Sequence, residues 1–455
     1  MSGKVCIIGG GISGLCVAYR LNKAGVDVGV LEKNSEVGGN IHTSRDAGFL
    51  YEHGPNSTLT TRELLDLIDQ LGLTSQIALA KPAAKKRFII KKGKLTALPS
   101  APVGLLNTRA FTRRSVLGLL KEPFTKRGSR DNESVADFFT RRLGPEIVNY
   151  AVDPFISGIY AGDPQKLAVE FALPKLYRFE SEHGSILKGA FKSRKNGKQK
   201  LPKGTPRSLS FVGGMQTLTN SLQEELRGKI TTNCGETKVE SDRLGVNVIV
   251  NGCTERFDCL VISTPAYIAA EFLRPISGEV SAALDSVFYP PVSVVYLGFK
   301  ATDVLVAPNG FGFLAPHLEK RPVLGSLFTS SVFEGRAPEG HHLFTTFIGG
   351  SRDPELAGLD EEQLTDIALD ELRSLMGVRG IPVFKAVKKW KKAIPQYNIG
   401  YGRVLDAIKV FRQNHPHIFL CSNYLNGISV SDCIKNAAET AAEVIEYLSS
   451  KKTNE

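Results

Sequence analysis

The chain has 455 residues, 42% of them hydrophobic and 23% charged, with a formal net charge of +11. That length exceeds what one hydrophobic core usually serves, so two or three domains are expected, and the composition excludes a disordered or fibrous protein. No run of about eighteen apolar residues is present, which excludes a membrane-spanning helix. Seven scattered cysteines without a CxxC and eight histidines without an HExxH point to neither a disulfide framework nor a metal site. No GxSxG elbow supports a serine hydrolase. Only Met1 to Lys4 precede the first apolar run, so the cytoplasm is the expected compartment.

In chain order, Val5-Cys6-Ile7-Ile8 is followed at once by Gly9-Gly10-Gly11-Ile12-Ser13-Gly14. A buried strand, a glycine turn and a helix start form a seat for a dinucleotide pyrophosphate. Gly9 permits the turn, and Gly11 leaves room for the phosphates. Gly14 lets the helix pack on the strand, and the free N–H groups of the helix end face the anion. Cys6 and Cys16 fall in this strand and helix and read as buried thiols. A second apolar run, Val26 to Leu31, ends in Glu32-Lys33, and the acid suits ribose hydroxyls. Val37-Gly38-Gly39-Asn40 and Glu52-His53-Gly54-Pro55-Asn56-Ser57 follow, and the second glycine pair lets another backbone segment lie against a cofactor.

Arg62 to Leu73 reads as an amphipathic helix closing at Gly72, and residues 86–98 as two strands around Lys92-Gly93. Residues 100 to about 200 read as mainly helical and basic. Strands are expected at Asn247–Val250 and from Cys259 to Thr264, the latter ended by Pro265. Residues 287–350 read as an antiparallel sheet and Leu359–Met376 as a helix. His417–Cys421 reads as a strand and Asp432–Leu448 as a helix, with Ser431 or Asp432 able to cap it. The fold class is therefore α/β, with a Rossmann-like nucleotide domain assembled from both ends of the chain (1–60, 205–275 and 405–450). Residues 61–99 and 276–404 form a second, α+β domain, and residues 100–204 an inserted helical one.

Much of the positive charge is clustered. From His183 to Gln223 no acid occurs, while Lys188, Lys192, Arg194, Lys195, Lys198, Lys200, Lys203 and Arg207 all fall there. Between Leu105 and Arg130, basic residues such as Arg113, Arg114, Lys121 and Lys126 alternate with Leu117, Leu120 and Phe124. Each cluster is either a solvated face or a contact with an anionic membrane surface, where a basic residue contributes about 1 kcal/mol. Stacking aromatics are not interleaved, so nucleic acid is not expected.

Several segments, taken in order, resemble the flavin-dependent amine-oxidase-like superfamily and, within it, the protoporphyrinogen oxidases. They are Val37-Gly38-Gly39 with Glu52 to Ser57; Lys86-Arg87-Phe88; Ser157 to Pro164 (Ser-Gly-Ile-Tyr-Ala-Gly-Asp-Pro); Gly310-Phe311-Gly312-Phe313-Leu314; Ile394 to Gly400; and Asp432 to Ala437. The resemblance covers almost the whole chain. It implies a p-hydroxybenzoate-hydroxylase-like FAD domain, a substrate domain and a helical domain that meets the membrane. It also implies six-electron oxidation of a porphyrinogen by hydride transfer to flavin, with dioxygen as acceptor and hydrogen peroxide as product.

By the same resemblance FAD is held by Gly9 to Gly14, Glu32, Lys33, Gly38, Gly39, Asn40, Gly54, Pro55, Asn56, Ser57, Val239, Trp390, Ile428, Ser429 and Val430. The C-terminal helix start would then favour negative charge on the reduced ring. Arg87 pairs with a substrate propionate, while Phe311, Leu314 and Phe347 sandwich the macrocycle. A macrocycle with carboxylate arms needs such an apolar slot and a fixed guanidinium. From the residues alone, the other reading of Arg87 is a surface residue of an exposed strand, that of Phe311 and Leu314 is core residues of a turn, and Trp390 is by base rate a core residue that only the resemblance assigns to the cofactor. No residue is expected to act as general acid or base. Ser422-Asn423 and Ser429 depart from the family, standing where glycine or another very small residue is common. Coproporphyrinogen III, with four propionates, is an alternative substrate; an amine or carotenoid oxidoreductase and a tetrapyrrole carrier are further alternatives. A homodimer and hand-over of product to a chelatase are compatible with the resemblance, though no motif specifies either.

Overall fold

The computed structural model describes residues 3–99, 108–128, 132–196 and 208–454, with 194–196 and 452–454 described by their backbone alone. Strand β1 (Lys4–Ile8) lies centrally in a five-stranded parallel sheet. Its neighbours are β2 (Asp27–Leu31) on one side and Cys259–Ile262 on the other, with Ile230–Thr231 and Ile418–Leu420 at the edges. The strands are buried on both faces, and the two-residue alternation divides them between two cores. Val5 and Ile7 join Val28, Val30, Cys259, Val261 and Phe419 on one side. Cys6 and Ile8 join Leu260, Ile262, Ile418 and Leu420 on the other. Helix α1 (Ile12–Lys23) and the C-terminal helix Val430–Asn454 cover the first face. An antiparallel sheet of Thr237–Asp242, Gly245–Val250 and Cys253–Phe257 covers the second. The expected buried thiols are there: Cys6 and Cys16 are enclosed, and burial pushes both thiols well above the usual range.

A seven-stranded sheet runs Phe384–Trp390, Val292–Lys300, His341–Gly349, Gly325–Leu327, Gly312–Leu314, Phe88–Lys91 and Lys94–Ala97. All its neighbours are antiparallel except Gly312–Leu314 with Phe88–Lys91. The hairpin of residues 86–98 turns at Lys92 and Gly93, both with positive φ, as the sequence anticipates. One face packs on helix Glu361–Met376 through Leu364, Ala368, Leu372 and Met376 against Val295, Leu297 and Phe299. Asp360 and Gln363 close a capping box at its start, and Gly377 ends it in the left-handed region. The other face carries Val292, Val294, Tyr296, Phe347 and Trp390 and turns toward the nucleotide-type sheet. Tyr296 donates its hydroxyl to the carbonyl of Glu52 at 2.6 Å, and Trp390 its indole N–H to the carbonyl of His53 at 2.9 Å.

Between these sheets the chain forms short helices, among them Arg113–Leu119, Val135–Leu143, Asp153–Tyr160, Pro174–His183 and Ile186–Asn196. A buried ionic network ties them together. Glu122, fully enclosed, accepts from Ser185 Oγ and the amides of Ile186 and Leu187, and pairs with Arg142 at 3.0 Å. Arg142 also meets Glu180, and Arg141 bridges Glu133 and Glu180. Among the described residues no helix is long and apolar enough to cross a membrane.

The two basic clusters are only partly visible. Leu105, Leu106, Arg130, Lys198, Lys200, Lys203 and Arg207 lie outside the described residues. Within Arg109–Lys126 the apolar side chains divide: Phe111 is buried and Val116 and Leu119 pack inward, whereas Leu117, Leu120 and Phe124 face out. Phe124 is 85% exposed, and Lys188 of helix Ile186–Asn196 sets its Nζ 5.8 Å from the Phe124 ring centre and bonds the carbonyl of Pro123 at 2.9 Å; Leu187 and Phe191 of that helix are exposed too.

Candidate active site

Every parallel strand delivers its carboxyl end to one edge of the five-stranded sheet, the edge where ligands of open α/β sheets bind. There β1 opens into Gly9 and β2 into Glu32. Strand Cys259–Ile262 opens into Ser263-Thr264-Pro265, and Ile418–Leu420 into Cys421-Ser422-Asn423. Gly9 adopts a positive φ and binds the carbonyl of Leu31 at 2.8 Å. A Cβ at Gly14 would lie 2.0 Å from the carbonyl oxygen of Gly9, so only glycine lets α1 descend this closely onto the turn. Gly11 differs: the nearest atom to a Cβ there is Gly39 Cα at 4.0 Å, so the space beside it is open. Gly38 binds the carbonyl of Gly10 at 2.8 Å and pairs with Gly11, bringing the two glycine pairs into contact. Helix α1 starts at Gly11 with no side-chain cap and no acid in its first turn. Its N–H groups and partial positive charge therefore meet this open space uncompensated.

Glu32 is buried beside the cradle. One carboxylate oxygen accepts from Gly10 N at 2.8 Å, and the other from the amide and side chain of Asn34. Lys33 is exposed. Asn40 crosses Gly54 closely, since a Cβ at Gly54 would lie 2.0 Å from the Asn40 carbonyl oxygen. Ser57 bonds Ser208, and Thr58 Oγ1 meets Ser431 Oγ at 2.7 Å, so residues 54–58 sit against the start of the C-terminal helix and Ile428–Val430. Tyr397 braces the same corner: its hydroxyl donates to Asn423 O at 2.7 Å and accepts from Gly427 N at 3.0 Å. Val239 stands apart. Its side chain is buried in the second core, so it can reach a ligand only through the main chain of an edge strand.

A cavity of about 360 Å³ continues from this edge, lined by Asn40, Pro265, Tyr267, Tyr289, Trp390, Lys391, Lys392, Ala393 and Asn423. A larger hollow of about 580 Å³ lies near Gln216 but is lined by Glu36, Glu224 and Glu225, which suits no phosphate. Buried polar atoms without partners collect around the cradle: Ser263 Oγ, Thr264 Oγ1, Asn56 Oδ1 and His53 Nδ1. Burial, with His42 and Lys388 nearby, lowers His53 to about 4. Open helix donors, a seat a methyl would fill, a buried acid at the end of β2 and unpaired hydroxyls fit a dinucleotide such as FAD.

Across the seven-stranded sheet, Leu314, Gly325, Phe347, Val294 and Lys388 stand in one cross-strand row. Gly325 has no side chain, and a Cβ there would lie 3.1 Å from Leu314 Cδ2, so the Leu314 side chain fills that space on the face it shares with Phe347. Gly158 of helix Asp153–Tyr160 touches Leu314, a Cβ there falling 2.6 Å from its Cδ2. Arg87 is exposed at the start of the Phe88–Lys91 strand, its guanidinium carbon 5.2 Å from the centre of the Phe311 ring. No carboxylate pairs with Arg87 among the described residues. Sequence reasoning missed Ser263, Thr264, Tyr267, Tyr289, Lys391 and Lys392, and named Asn423 only as a departure from the family. The signal for Ser263-Thr264-Pro265 was available: it follows a buried strand, where a parallel sheet presents its ligand edge.

Fold and cradle define a flavin-dependent oxidoreductase, and the comparisons with known proteins narrow the class. A match to the flavin containing amine oxidoreductase family spans residues 12–445, and the chain belongs to that family. It is 32% identical to the mitochondrial protoporphyrinogen oxidase of Nicotiana tabacum, over 99% of this chain and 96% of that one. It is 26% identical to the coproporphyrinogen III oxidase of Bacillus subtilis (strain 168), over 98% of each. The crystal structure of an Exiguobacterium sp. 255-15 protein, provisionally assigned as a protoporphyrinogen oxidase, superposes with a TM-score of 0.81 at 22% identity, covering 97% of this chain and 98% of that one.

Proposed function

We propose that the protein oxidises protoporphyrinogen IX to protoporphyrin IX, with FAD as cofactor and dioxygen as acceptor. Three two-electron rounds each remove two hydrogens from the macrocycle and convert one dioxygen to hydrogen peroxide. The observation that carries this reading is the half-buried apolar surface of Leu314 and Phe347, which stand in one cross-strand row either side of Gly325. It lies on the sheet face that Trp390 and Tyr296 join to the cradle, with Arg87, which no carboxylate among the described residues pairs, at its far end. That apolar surface takes a face of a flat apolar ring, and the guanidinium takes a carboxylate arm bidentately. FAD supplies the redox chemistry when bound. Gly9–Gly14 and the end of α1 seat its pyrophosphate, and Glu32 takes the ribose. Gly38–Asn40, Gly54–Ser57, Trp390 and Ile428–Val430 surround the ring system, and Val239 contributes main chain. No side chain is assigned as acid or base.

In this reading residues 1–60, 205–275 and 405–450 form the FAD domain, and 61–99 with 276–404 the substrate domain. Residues 100–204 dock on an anionic membrane surface. Leu117, Leu120, Phe124 and Leu187 enter the headgroup boundary while Arg113, Arg114, Lys121 and Lys192 meet lipid phosphates. Binding to anionic vesicles that weakens with salt, and is lost in Phe124→Glu, supports this docking; equal pelleting with neutral vesicles refutes it.

Porphyrin fluorescence and oxygen uptake test the reaction. Purified holoenzyme is expected to turn over protoporphyrinogen IX with a higher kcat/KM than coproporphyrinogen III. The reverse order would assign the tetra-propionate substrate, and binding without turnover in air would make the protein a carrier.

A further inference from the structure

The C-terminal helix was expected to lend its positive end to the cofactor ring. In the fold that end is already compensated. Ser429 donates its hydroxyl to Asp432 Oδ2 at 2.5 Å and its amide to the same oxygen, and Asp432 N bonds Ser429 Oγ at 3.1 Å. Ser429, not Ser431 or Asp432, is therefore the cap, and a carboxylate in the first turn offsets the helix charge. Ser431 instead binds Thr58 and the carbonyl of Leu59. Positive potential at this cavity has to come from another source.

That source is the end of strand Phe384–Trp390. Lys388, Lys391 and Lys392 stand there with no carboxylate partner among the described residues, and no acid lines the cavity. Lys391 and Lys392 are exposed, so water and salt screen them. Lys388 is half-buried, with its Nζ 4.8 Å from the centre of the Trp390 ring. The same indole lines the cavity and is pinned through its N–H to the His53 carbonyl. His53 stays uncharged near neutral pH and adds no second charge.

We propose that Lys388, acting across the indole of Trp390, is a positioning residue that raises the reduction potential of the bound flavin by favouring its reduced, more negative form. The inference rests on the FAD ring occupying this cavity, as proposed above. One unit charge across the thickness of an aromatic ring, at a dielectric between protein interior and water, changes the ratio of affinities for reduced and oxidised FAD by about tenfold. For a two-electron couple that is about 30 mV.

The test is the midpoint potential of the holoenzyme, measured anaerobically against a reference dye. Lys388→Gln is expected to lower the potential by that amount and Lys388→Arg to restore it. Lys391→Gln and Lys392→Gln should each change the affinity ratio by less than threefold. Lys388→Met, which keeps the packing on the indole, replaces the glutamine variant if that one loses flavin. An unchanged potential in Lys388→Gln or Lys388→Met, or equal shifts in all three lysine variants, overturns the inference while leaving the cofactor site intact. Trp390 is the sole tryptophan, so its emission separates the two failures. If FAD binds without quenching Trp390, the ring lies elsewhere, and both the placement and the inference fall.

Discussion

Gly11 and Gly14 look alike in the sequence, yet the fold gives them opposite roles, and alanine at each separates binding from folding. At Gly11 the backbone is at φ −74° and ψ 176°, which any residue adopts, and a Cβ meets nothing nearer than 4.0 Å. Gly11→Ala is therefore expected to fold with a stability within about 1 kcal/mol of the parent, since the position has no side-chain cap to lose. Its methyl group, however, projects into the pyrophosphate seat. Displacing the anion from two helix N–H groups, at about 1.5–3 kcal/mol per charge-assisted bond, removes at least about 3 kcal/mol, or roughly 100-fold in the Kd for FAD. At Gly14 the added carbon stands 2.0 Å from a main-chain carbonyl that no rotamer change can move. Gly14→Ala is expected to destabilise the apoprotein by at least about 3 kcal/mol. Urea unfolding of both apoproteins, with FAD titrations followed by Trp390 emission, reads both quantities. Wild-type FAD affinity in Gly11→Ala would refute the assignment of that open space to phosphate.

Three further outcomes follow from the same geometry. Arg87→Ala is expected to raise KM for the porphyrinogen about tenfold with flavin content unchanged, the loss of one solvent-screened guanidinium–carboxylate pair; steady-state kinetics on the flavin-loaded variant checks it. Arg142→Ala leaves the enclosed Glu122 carboxyl without its ion-pair partner, so denaturant unfolding should show a loss of about 3–5 kcal/mol. His53 has a folded value of about 4 against an ordinary 6.5, so the unfolded chain takes up the proton first. The stability this confers is complete above pH 6.5 and is lost as pH falls toward 4. His53→Asn should therefore lose about 1–2 kcal/mol less than wild type across that window, after discounting for solvent, and parallel pH profiles would refute the neutral buried imidazole.

The sheet elements were legible wherever burial imposed a period. Val5–Ile8 and Cys259–Ile262 are apolar at every position because both faces of a parallel strand are covered, and the hairpin at Lys92-Gly93 announced its turn chemistry. Helix Arg62–Gln70 ends where Gly72 said it would, one residue being taken by its cap. The C-terminal helix starts at Val430, earlier than the small-residue face suggested, because Ser429 supplies the cap from outside that face. Hydrophobic periodicity cannot see a reciprocal cap that depends on a serine hydroxyl and an aspartate three residues on.

The site was legible in its main-chain parts and opaque in its electrostatics, for one physical reason. Glycine positions are set by local approach: Gly9, Gly14 and Gly38 sit within a few ångströms of backbone that follows closely in the chain or in the sheet, so their spacing carries the information. Charge balance is set by elements far apart in sequence. Whether the helix end at Val430 is positive depends on where the Asp432 side chain folds. Whether Trp390 meets a cation depends on Lys388 reaching its ring, which is held by the His53 carbonyl from the other end of the chain. The net charge of +11 could be read as membrane or substrate attraction, yet part of the basic content is cancelled in the Glu122–Arg142–Glu180–Arg141 network. Among the described residues, three sets of basic side chains stand beside the apolar surfaces of the proposed sites: the rim beside Phe124, Arg87 beside Phe311, and the lysines around Trp390. Substituting any one of these three sets should change a different observable — vesicle binding, KM or flavin potential — and leave the other two in place.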